Sequence, residues 1–189
     1  MDSKRDLVLY PTETIYGLGV DVFDHDGVQA LFQLKGREAA KSVSWLVSSI
    51  ADIERYAVLD DVAAKIAEQF LPGPLTLVLD ARPEVVSRTI SKERTIGFRI
   101  STDPYAQALI AEYETPLTCT SANVSGMSTC ASVPEILSQL GDKSTHIKRI
   151  IDGGERSGVS STVVRVHRGK ADVLREGAVP AEAIYGILA

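Results

Sequence analysis

Short apolar segments alternate with amphipathic helical segments over the first two-thirds of the chain, and this alternation limits the folds it can adopt. Leu7–Tyr10 is followed by Pro11, which cannot donate to a ladder, so the segment is predicted to be a strand. Strands are also predicted at residues 43–47, 75–79, 96–100, 117–120, 147–151, 162–166 and 171–174. Strands that alternate with helices and then follow one another closely are typical of an α/β domain around one large mixed sheet. Because no repeat or linker divides the 189 residues, a single domain over residues 1–189 is expected.

Capping residues predict where the helices begin. Short polar side chains accept hydrogen bonds from the free N–H groups of a first helical turn. The candidate N-terminal caps are Asp24 or Asp26, Ser49, Asp60, Asp103 and Ser132, the last with Glu135 in a capping-box pattern. Gly36 and Gly141 are placed to end two of these helices, and a last helix is expected from about Pro180.

The net charge of −5 excludes a chain that binds polyanions through a generally basic surface. Any phosphate site must therefore be local, which makes the placement of Lys and Arg more informative than their number. Apolar runs such as residues 74–79 are far shorter than the roughly 20 residues of a membrane-spanning helix, and no h-region follows the N-terminus. We therefore expect a cytoplasmic protein without a membrane segment, in which Cys119 and Cys130 are free thiols.

Common signatures of nucleotide and metal sites are missing. The sequence has neither a G-x-x-x-x-G-K-[ST] loop nor a strand-linked G-x-G-x-x-G, so a P-loop or Rossmann enzyme is not expected. His25, His146 and His167 show no metal-ligand spacing with the cysteines, which argues against zinc. Magnesium held by the phosphates of a nucleotide would leave no such signature.

Three cations lie close together at Lys35, Arg37 and Lys41, after a predicted helix end and before a predicted strand. In one interpretation they form a solvated turn whose charges complement the helix C-terminus. In the other they bind a triphosphate, for which Arg supplies a planar fork and Lys a point charge. Spacing alone favours the solvated turn without excluding the triphosphate site.

Two other regions can be interpreted in two ways. The small polar residues 118–126 form either a plain turn or a ligand site at the end of a strand. Arg99 lies within a predicted strand, on the face opposite Phe98 and Ile100, and needs a partner if it is buried. In one interpretation Arg99 lies on an exposed strand face or forms a structural ion pair. In the other it clamps the carboxylate of an amino acid. Residues 160–162 likewise begin a strand or direct hydroxyls into a site.

Seven short segments run in order through nearly the whole chain. They are Tyr10-Pro-Thr-Glu-Thr-Ile-Tyr-Gly-Leu-Gly19, Lys35-x-Arg37, Pro72-Gly-Pro-Leu-Thr76, Arg99, Ser121-Ala-Asn-Val-Ser-Gly126, Ser161-Thr-Val-Val164 and Leu174-Arg-Glu-Gly177. Each segment is weak alone, but all of them in register are specific. Together they resemble the YrdC/TsaC family of L-threonylcarbamoyladenylate synthases.

The resemblance implies a twisted, open mixed sheet with a concave, positively lined cavity. It also implies the synthesis of threonylcarbamoyl-AMP and pyrophosphate from L-threonine, bicarbonate or carbon dioxide, and ATP accompanied by Mg²⁺. The product is expected to pass to transferase proteins that modify the adenosine next to the anticodon of certain tRNAs. Since the family's cavity suits structured RNA, contact with tRNA or double-stranded RNA is a further expectation.

By position, the resemblance assigns residues to two parts of one site. The implied threonine site comprises Thr14, Leu46, Arg99, Cys119 and Ser161. The implied ATP site comprises Lys35, Arg37, Lys41, Thr95, Ser121, Asn123, Thr129 and Arg175. Lys35, Arg37 and Arg99 are the implied catalytic residues, because they would offset negative charge and hold the reactants. No metal ligand is implied.

The chain departs from the family pattern at Glu38 and Ser42, where many relatives carry proline, which loosens the backbone there. Nothing after Ala189 resembles the additional domain of longer members, so the short form is expected. Two alternative functions remain. One is a non-catalytic RNA-binding module of the same fold, which the net charge disfavours as the only role. The other is a carbamoyl or acyl transferase that keeps the ATP site and uses a different acceptor.

Overall fold

The structure is a computed structural model that describes residues 6–36, 42–156 and 158–189. Its strands are β1 (Leu7–Tyr10), β2 (Gly17–Gly19), β3 (Ser44–Leu46), β4 (Leu75–Asp80), β5 (Thr95–Arg99), β6 (Leu117–Ser121), β7 (Ile147–Ile150), β8 (Thr162–His167) and β9 (Lys170–Arg175). Its α-helices are α1 (His25–Lys35), α2 (Ile50–Tyr56), α3 (Asp61–Phe70), α4 (Pro104–Ala111), α5 (Val133–Leu140) and α6 (Ala181–Gly186), and a 3₁₀ helix spans Gly141–His146.

The strands of the described ranges form one sheet in the order β7-β1-β2-β6-β3-β5-β4-β8-β9. β1 pairs with β7, β3 with β5, and β4 with β8 in parallel. The other neighbouring strands are antiparallel. The two outermost strands, β7 and β9, do not pair with each other, so the sheet stays open. The predicted α/β fold around one large mixed sheet is confirmed.

Side-chain caps start four helices where the sequence predicts them. Asp24, Ser49, Asp60 and Asp103 each accept a hydrogen bond from an N–H group in the first turn of α1, α2, α3 and α4. Gly36 ends α1 in the left-handed conformation, with φ 58°, which glycine adopts without steric cost. Local chemistry therefore determines where four of the six described α-helices begin.

The capping box predicted for α5 forms only in part. Ser132 is the residue before the helix, but its side chain makes no capping hydrogen bond. Glu135 accepts a hydrogen bond from the N–H group of Ala131 at 2.9 Å instead. The helix begins where predicted, although the reciprocal pair of bonds is absent.

Five of the described α-helices pack on one face of the sheet. α1 and α5 pack with Leu9 and Leu18 in one buried cluster. α2, α3 and α6 pack in a second cluster, in which Trp45 is fully buried. The Trp45 ring centroid lies 5.4 Å from that of Tyr56 and 5.9 Å from that of Phe98, and the rings meet edge to face. Trp45 also donates from Nε1 to the Thr89 hydroxyl at 2.7 Å.

The opposite face carries α4, which packs over one part of the sheet with Leu46 and Leu117. Side chains alternate along β5, so that Ile96 and Phe98 enter the helix-covered core. Thr95, Gly97 and Arg99 therefore lie on the α4 side, where they line a cavity. The face beside α4 is the place where the fold can accept a ligand.

Strand β2 was not predicted, because Gly17 and Gly19 have low strand propensity. It is held between β1 and β6 by antiparallel pairing on both sides. A Cβ atom on Gly17 would lie 3.0 Å from Cζ of Tyr10, and one on Gly19 would lie 2.8 Å from Cε1 of the same ring. The Tyr10 ring thus lies across both glycines, and its hydroxyl donates to the carbonyl of Thr118 at 3.1 Å.

Both cysteines are free thiols, and Cys119 is buried within β6. Among the helices of the described ranges, none has the length and apolar composition to cross a membrane.

Candidate active site

A cavity of about 550 Å³ opens on the sheet face beside α4. Protein cavities that bind small molecules commonly measure roughly 300–1,000 Å³, so this cavity has the size of such a site. Its walls come from β3, β4, β5, β6, β8 and β9. The predicted site residues among its lining are Thr95, Arg99, Cys119, Ser121, Thr129, Ser161 and Arg175.

Arg99 is the buried cation of this wall and is only 6% exposed. Its Nη2 atom lies 2.5 Å from Oε1 of Glu13 and donates to the hydroxyl of Thr14 at 3.1 Å. Its Nε atom is buried and has no hydrogen-bond partner among the described residues. Arg99 thus combines a fixed ion pair with an N–H group that can still bind an acceptor.

The carboxylate of Glu13 belongs to a larger network behind the cavity wall. Its second oxygen accepts a hydrogen bond from the hydroxyl of Ser101. Ser101 in turn accepts from the N–H group of Asp103 at 3.1 Å, and Asp103 forms an ion pair with Arg156 at 3.0 Å. Arg156 donates to the carbonyl of Thr12 at 3.1 Å. This network links the turn after β1 to the end of β5 and the start of α4.

Ser161 and Arg175 form a second polar group in the cavity. The hydroxyls of Ser161 and Thr76 are 2.9 Å apart, and Arg175 donates to the carbonyl of Ser161 at 2.7 Å. A Cβ atom on Gly177 would lie 2.1 Å from the carbonyl oxygen of Ser160, so only glycine allows the two backbones to approach this closely. This close approach keeps Arg175 beside Ser161.

Two guanidinium groups influence each other across the cavity. Burial and the charge of Arg99 both lower the pKa of Arg175. Burial also lowers the pKa of Arg99, but Cys119 and Glu13 outweigh it and raise that pKa overall. Since arginine pKa values start far above neutrality, both groups are cations at pH 7. An anion between them would reduce their repulsion.

Lys35 is buried beneath the end of β6 and is not among the residues that line the cavity. Its ammonium donates to the carbonyls of Ser121 and Asn123, the latter at 2.9 Å, and contacts Oδ1 of Asn123 at 3.3 Å. The hydroxyl of Ser121 donates to the same Oδ1 at 2.5 Å. Lys35 therefore orders the segment that carries Ser121 into the cavity, and its contact with phosphate stays a prediction.

The remaining predicted residues lie in several places. Thr14 is buried behind the cavity wall, where it bonds to Arg99. Leu46 lies beneath α4 and lines a separate cavity of about 180 Å³. Asn123 is buried beside Lys35. Arg37 and Lys41 lie outside the described residues, as does the departure at Glu38.

Some polar groups of the site were not singled out from the sequence. Thr76, Glu93 and Arg165 line the cavity, and Glu13 pairs with Arg99. Arg165 could have been found, because it lies between two apolar residues of a predicted strand, as Arg99 does. Glu93 lies between strands, where no periodic pattern marks it.

The cavity is poor in metal ligands. Within the described ranges, no group of three or more His, Cys, Asp or Glu side chains is placed to hold a metal ion. Glu93 is the one carboxylate among the described residues that line the cavity. A protein cage for a metal is therefore not formed by this part of the chain.

The chain is similar in sequence to proteins of one family. A family model described as Sua5_yciO_yrdC, telomere recombination, matches residues 3–177. A threonylcarbamoyl-AMP synthase from Pyrococcus abyssi is 38% identical over 188 residues, which cover 96% of this chain and 53% of that relative. A putative threonylcarbamoyl-AMP synthase from Methanocaldococcus jannaschii is 33% identical over 179 residues, which cover 94% of this chain and 83% of that protein.

The fold has solved counterparts as well. The crystal structure of Sua5 from P. abyssi complexed with L-threonine matches with a TM-score of 0.88 and 35% identity, over 97% of this chain and 54% of that one. The chain thus spans about half the length of the Pyrococcus relatives, since 53% and 54% of them are covered. The fold that the sequence resemblance implied is confirmed by this match.

Proposed function

The chain belongs to the Sua5/YciO/YrdC family, and on this premise we propose that it makes threonylcarbamoyl-AMP and pyrophosphate from L-threonine, bicarbonate or carbon dioxide, and ATP. The observation that carries the proposal is the buried Arg99 in the cavity wall. Its unpartnered Nε–H group is unfavourable unless a ligand supplies an acceptor. The names of the relatives and the threonine in the related structure support the same reaction.

The end of the cavity at Arg99 suits an amino acid. A carboxylate is the acceptor that best matches the planar fork of a guanidinium. The hydroxyl of Thr14 is fixed beside Arg99 at 3.1 Å, and Cys119 and Ser161 line the cavity nearby. We place the carboxylate of threonine, or of its carbamate, at Arg99.

The rest of the cavity suits the nucleotide. Thr95, Ser121, Thr129 and Arg175 line it and supply hydroxyl donors and one further cation. Arg37 and Lys41 would add cations from outside the described residues. Lys35, through its contacts with Ser121 and Asn123, would hold one nucleotide-binding segment in place.

The reaction depends more on bringing two anions together than on a reactive side chain. The amine of threonine attacks carbon dioxide and loses a proton to give the carbamate. A carbamate oxygen then attacks the α-phosphorus of ATP, the bond from that phosphorus to the β-phosphate oxygen breaks in line, and pyrophosphate leaves. The chain would lower the barrier by positioning the two anions and by offsetting their charge. No covalent intermediate with the protein is required.

Magnesium would enter with ATP as part of the substrate. The described residues offer no cluster of metal ligands, and Glu93 is the lone carboxylate they place in the cavity. This lining fits an ion held mainly by phosphate oxygens and water, as is common for Mg²⁺. When bound, the ion supplies positive charge to the phosphates. The arginines of the cavity would add to that charge.

The fate of the product is also part of the proposal. Threonylcarbamoyl-AMP would pass to transferase proteins that modify tRNA. Contact of this chain with tRNA or double-stranded RNA would bring the product near its acceptor. The net charge of −5 limits such contact to a local surface.

A pyrophosphate-release assay tests the proposed reaction. ATP, bicarbonate and L-threonine are omitted one at a time, and threonine is replaced by serine, valine or alanine. We expect release that needs all three substrates and that prefers threonine. Equal pyrophosphate release without threonine would instead favour a carbamoyl or acyl transferase that uses a different acceptor. Salt-dependent tRNA binding without any pyrophosphate release would instead support the RNA-binding module.

A further inference from the structure

Arg165 is a further strand cation that lines the cavity, besides Arg99 and Arg175. Val164 and Val166, on either side of it, are buried in the helix-covered core. Because side chains alternate along a strand, Arg165 lies on the cavity face of β8. Its neighbours across the sheet are Val78 on β4 and Asp172 on β9.

Among the described residues, Arg165 has no carboxylate partner of the kind that Arg99 and Arg156 have. Its Nε atom is buried and finds no hydrogen-bond partner in the part of the chain that the structure describes. Arg99 pairs with Glu13, and Arg156 pairs with Asp103. Within the described ranges no carboxylate forms an ion pair with Arg165, not even Asp172 directly opposite it. A buried donor without an acceptor is rare in folded proteins and points to a ligand that supplies one.

An anion rich in oxygen atoms fits this position. The charge of Arg99 is offset by Glu13, whereas that of Arg165 is not offset by an ion pair in the described part of the chain. A guanidinium fork binds two oxygens of one phosphate, or oxygens of adjacent phosphates, with good geometry. The hydroxyl of Thr95 lines the same cavity and can donate to such a ligand as well.

The sheet order separates Arg165 from the proposed amino-acid end. Arg99 lies on β5 and Arg165 on β8, with β4 between them. Adjacent strands are roughly 4.8 Å apart, so the two strands are about 10 Å apart. This separation leaves room for an amino acid at Arg99 and for a different anionic group at Arg165.

We propose that Arg165 binds the phosphate chain of the nucleotide and thereby helps to select the nucleotide substrate. The identification of the bound anion as ATP rests on the proposed function. The existence of an anion site at Arg165 does not depend on that function. Arg165 would act by direct contact with phosphate oxygens. It would take no part in binding threonine.

Calorimetric titration of three variants tests this assignment. Wild type, Arg165→Gln and Arg165→Lys are titrated with Mg-ATP, with inorganic pyrophosphate and with adenosine, all without threonine or bicarbonate. Arg168→Gln is the matched control, since Arg168 is exposed at the turn after β8 and the change removes the same charge. Thermal unfolding of each unliganded variant shows whether the substitution disturbs the fold.

We expect Arg165→Gln to weaken the binding of Mg-ATP and pyrophosphate by at least about tenfold, which corresponds to one charge-assisted hydrogen bond. Arg165→Lys should lie between this variant and wild type, because the charge remains and the fork is lost. Adenosine affinity and the unfolding temperature should not fall, since Arg165 forms no ion pair within the described residues. Arg168→Gln should bind as wild type does.

Other outcomes overturn the assignment. If the pyrophosphate affinity of Arg165→Gln stays within about twofold of wild type, Arg165 does not contact phosphate. An equal loss for adenosine would place the base at Arg165, and a clear drop in unfolding temperature would make its role structural. If wild type binds pyrophosphate through Arg165 but releases none from ATP with threonine, the anion site stands and the proposed reaction fails.

Discussion

The Nη2 atom of Arg99 lies 2.5 Å from Oε1 of Glu13, and the two side chains are only 7% and 15% exposed. A nearly buried charge pair of this kind is costly to break, because either group alone would be left uncompensated. The pair also limits how the guanidinium can turn. Glu13 therefore determines which part of Arg99 can bind a ligand.

Glu13→Gln should weaken the use of threonine. The amide keeps the shape of the side chain but gives up the negative charge that holds Arg99. We expect the KM for threonine to rise by about tenfold, with the KM for ATP nearly unchanged, and the free energy of unfolding to fall by about 1–3 kcal/mol. Initial rates at varied threonine, together with urea unfolding, check both effects.

Glu112→Gln is the matched control for this change. It breaks the exposed ion pair with Arg149, whose side chains are 41% and 50% exposed. Such pairs contribute roughly 0–1 kcal/mol, so both kinetics and stability should stay close to wild type. If Glu13→Gln behaves like this control, the positioning role of Glu13 is wrong.

Arg99→Lys should impair threonine use while the protein stays folded. Lysine keeps a charge opposite Glu13 but cannot bind a carboxylate through a planar fork. The KM for threonine should rise at least about tenfold, and Arg99→Ala should have a larger effect on both activity and stability. ATP binding, measured by calorimetry without threonine, should change little. An unchanged threonine dependence in both variants would contradict the clamp.

Lys35→Ala and Arg37→Ala should both lower pyrophosphate release by at least about tenfold, the usual loss for one electrostatic donor in such a site. Lys35 is buried and bonds to the carbonyls of Ser121 and Asn123, so its removal takes a charged donor away from both acceptors. We expect the unfolding temperature to fall clearly for Lys35→Ala. Near-normal pyrophosphate release by both variants would show that this cationic segment is not part of the site.

Tyr10 should make the fold sensitive to alkaline pH. Burial, with Cys119 as a smaller cause, raises the pKa of Tyr10 well above its ordinary value. The folded protein then keeps a proton that the unfolded chain loses above about pH 10, so stability is complete below that pH and falls as the pH rises further. Tyr10→Phe should reduce this fall. It should also cost about 1 kcal/mol at neutral pH through the lost bond to Thr118.

Urea unfolding between pH 8 and pH 11 measures the effect. Tyr105→Phe serves as the control, because Tyr105 is 46% exposed and lies on the surface of α4. This variant should keep the alkaline slope of wild type. Equal slopes in all three proteins would show that Tyr10 does not contribute to the loss.

Local features of this fold were predictable from sequence because local chemistry determines them. The caps at Ser49, Asp60 and Asp103, and at Asp24 as one of two candidates, were predicted from a short polar side chain before a helical segment. The strand at Arg99 was found from alternation, which also implied that the arginine would need a partner. Predictions of this kind depend on neighbours a few residues away.

Relationships between distant segments could not be predicted in the same way. Strand β2 forms because β1 and β6 pair with it from both sides, although its glycines disfavour a strand. Glu13 and Arg99 are 86 residues apart, and Lys35 contacts a segment more than 80 residues away. Such partners follow from the strand order of the sheet, which the one-dimensional pattern does not contain.

Tyr10 lies flat over the two glycines of β2 and next to Cys119, which lines the cavity. A strand normally adds thickness to its sheet through its own side chains, but here two positions contribute only hydrogen atoms. The Tyr10 ring fills the space that side chains at positions 17 and 19 would otherwise share with it. The packing beside Cys119 therefore depends on residues 17 and 19, and a methyl group at either of them would force the ring to shift.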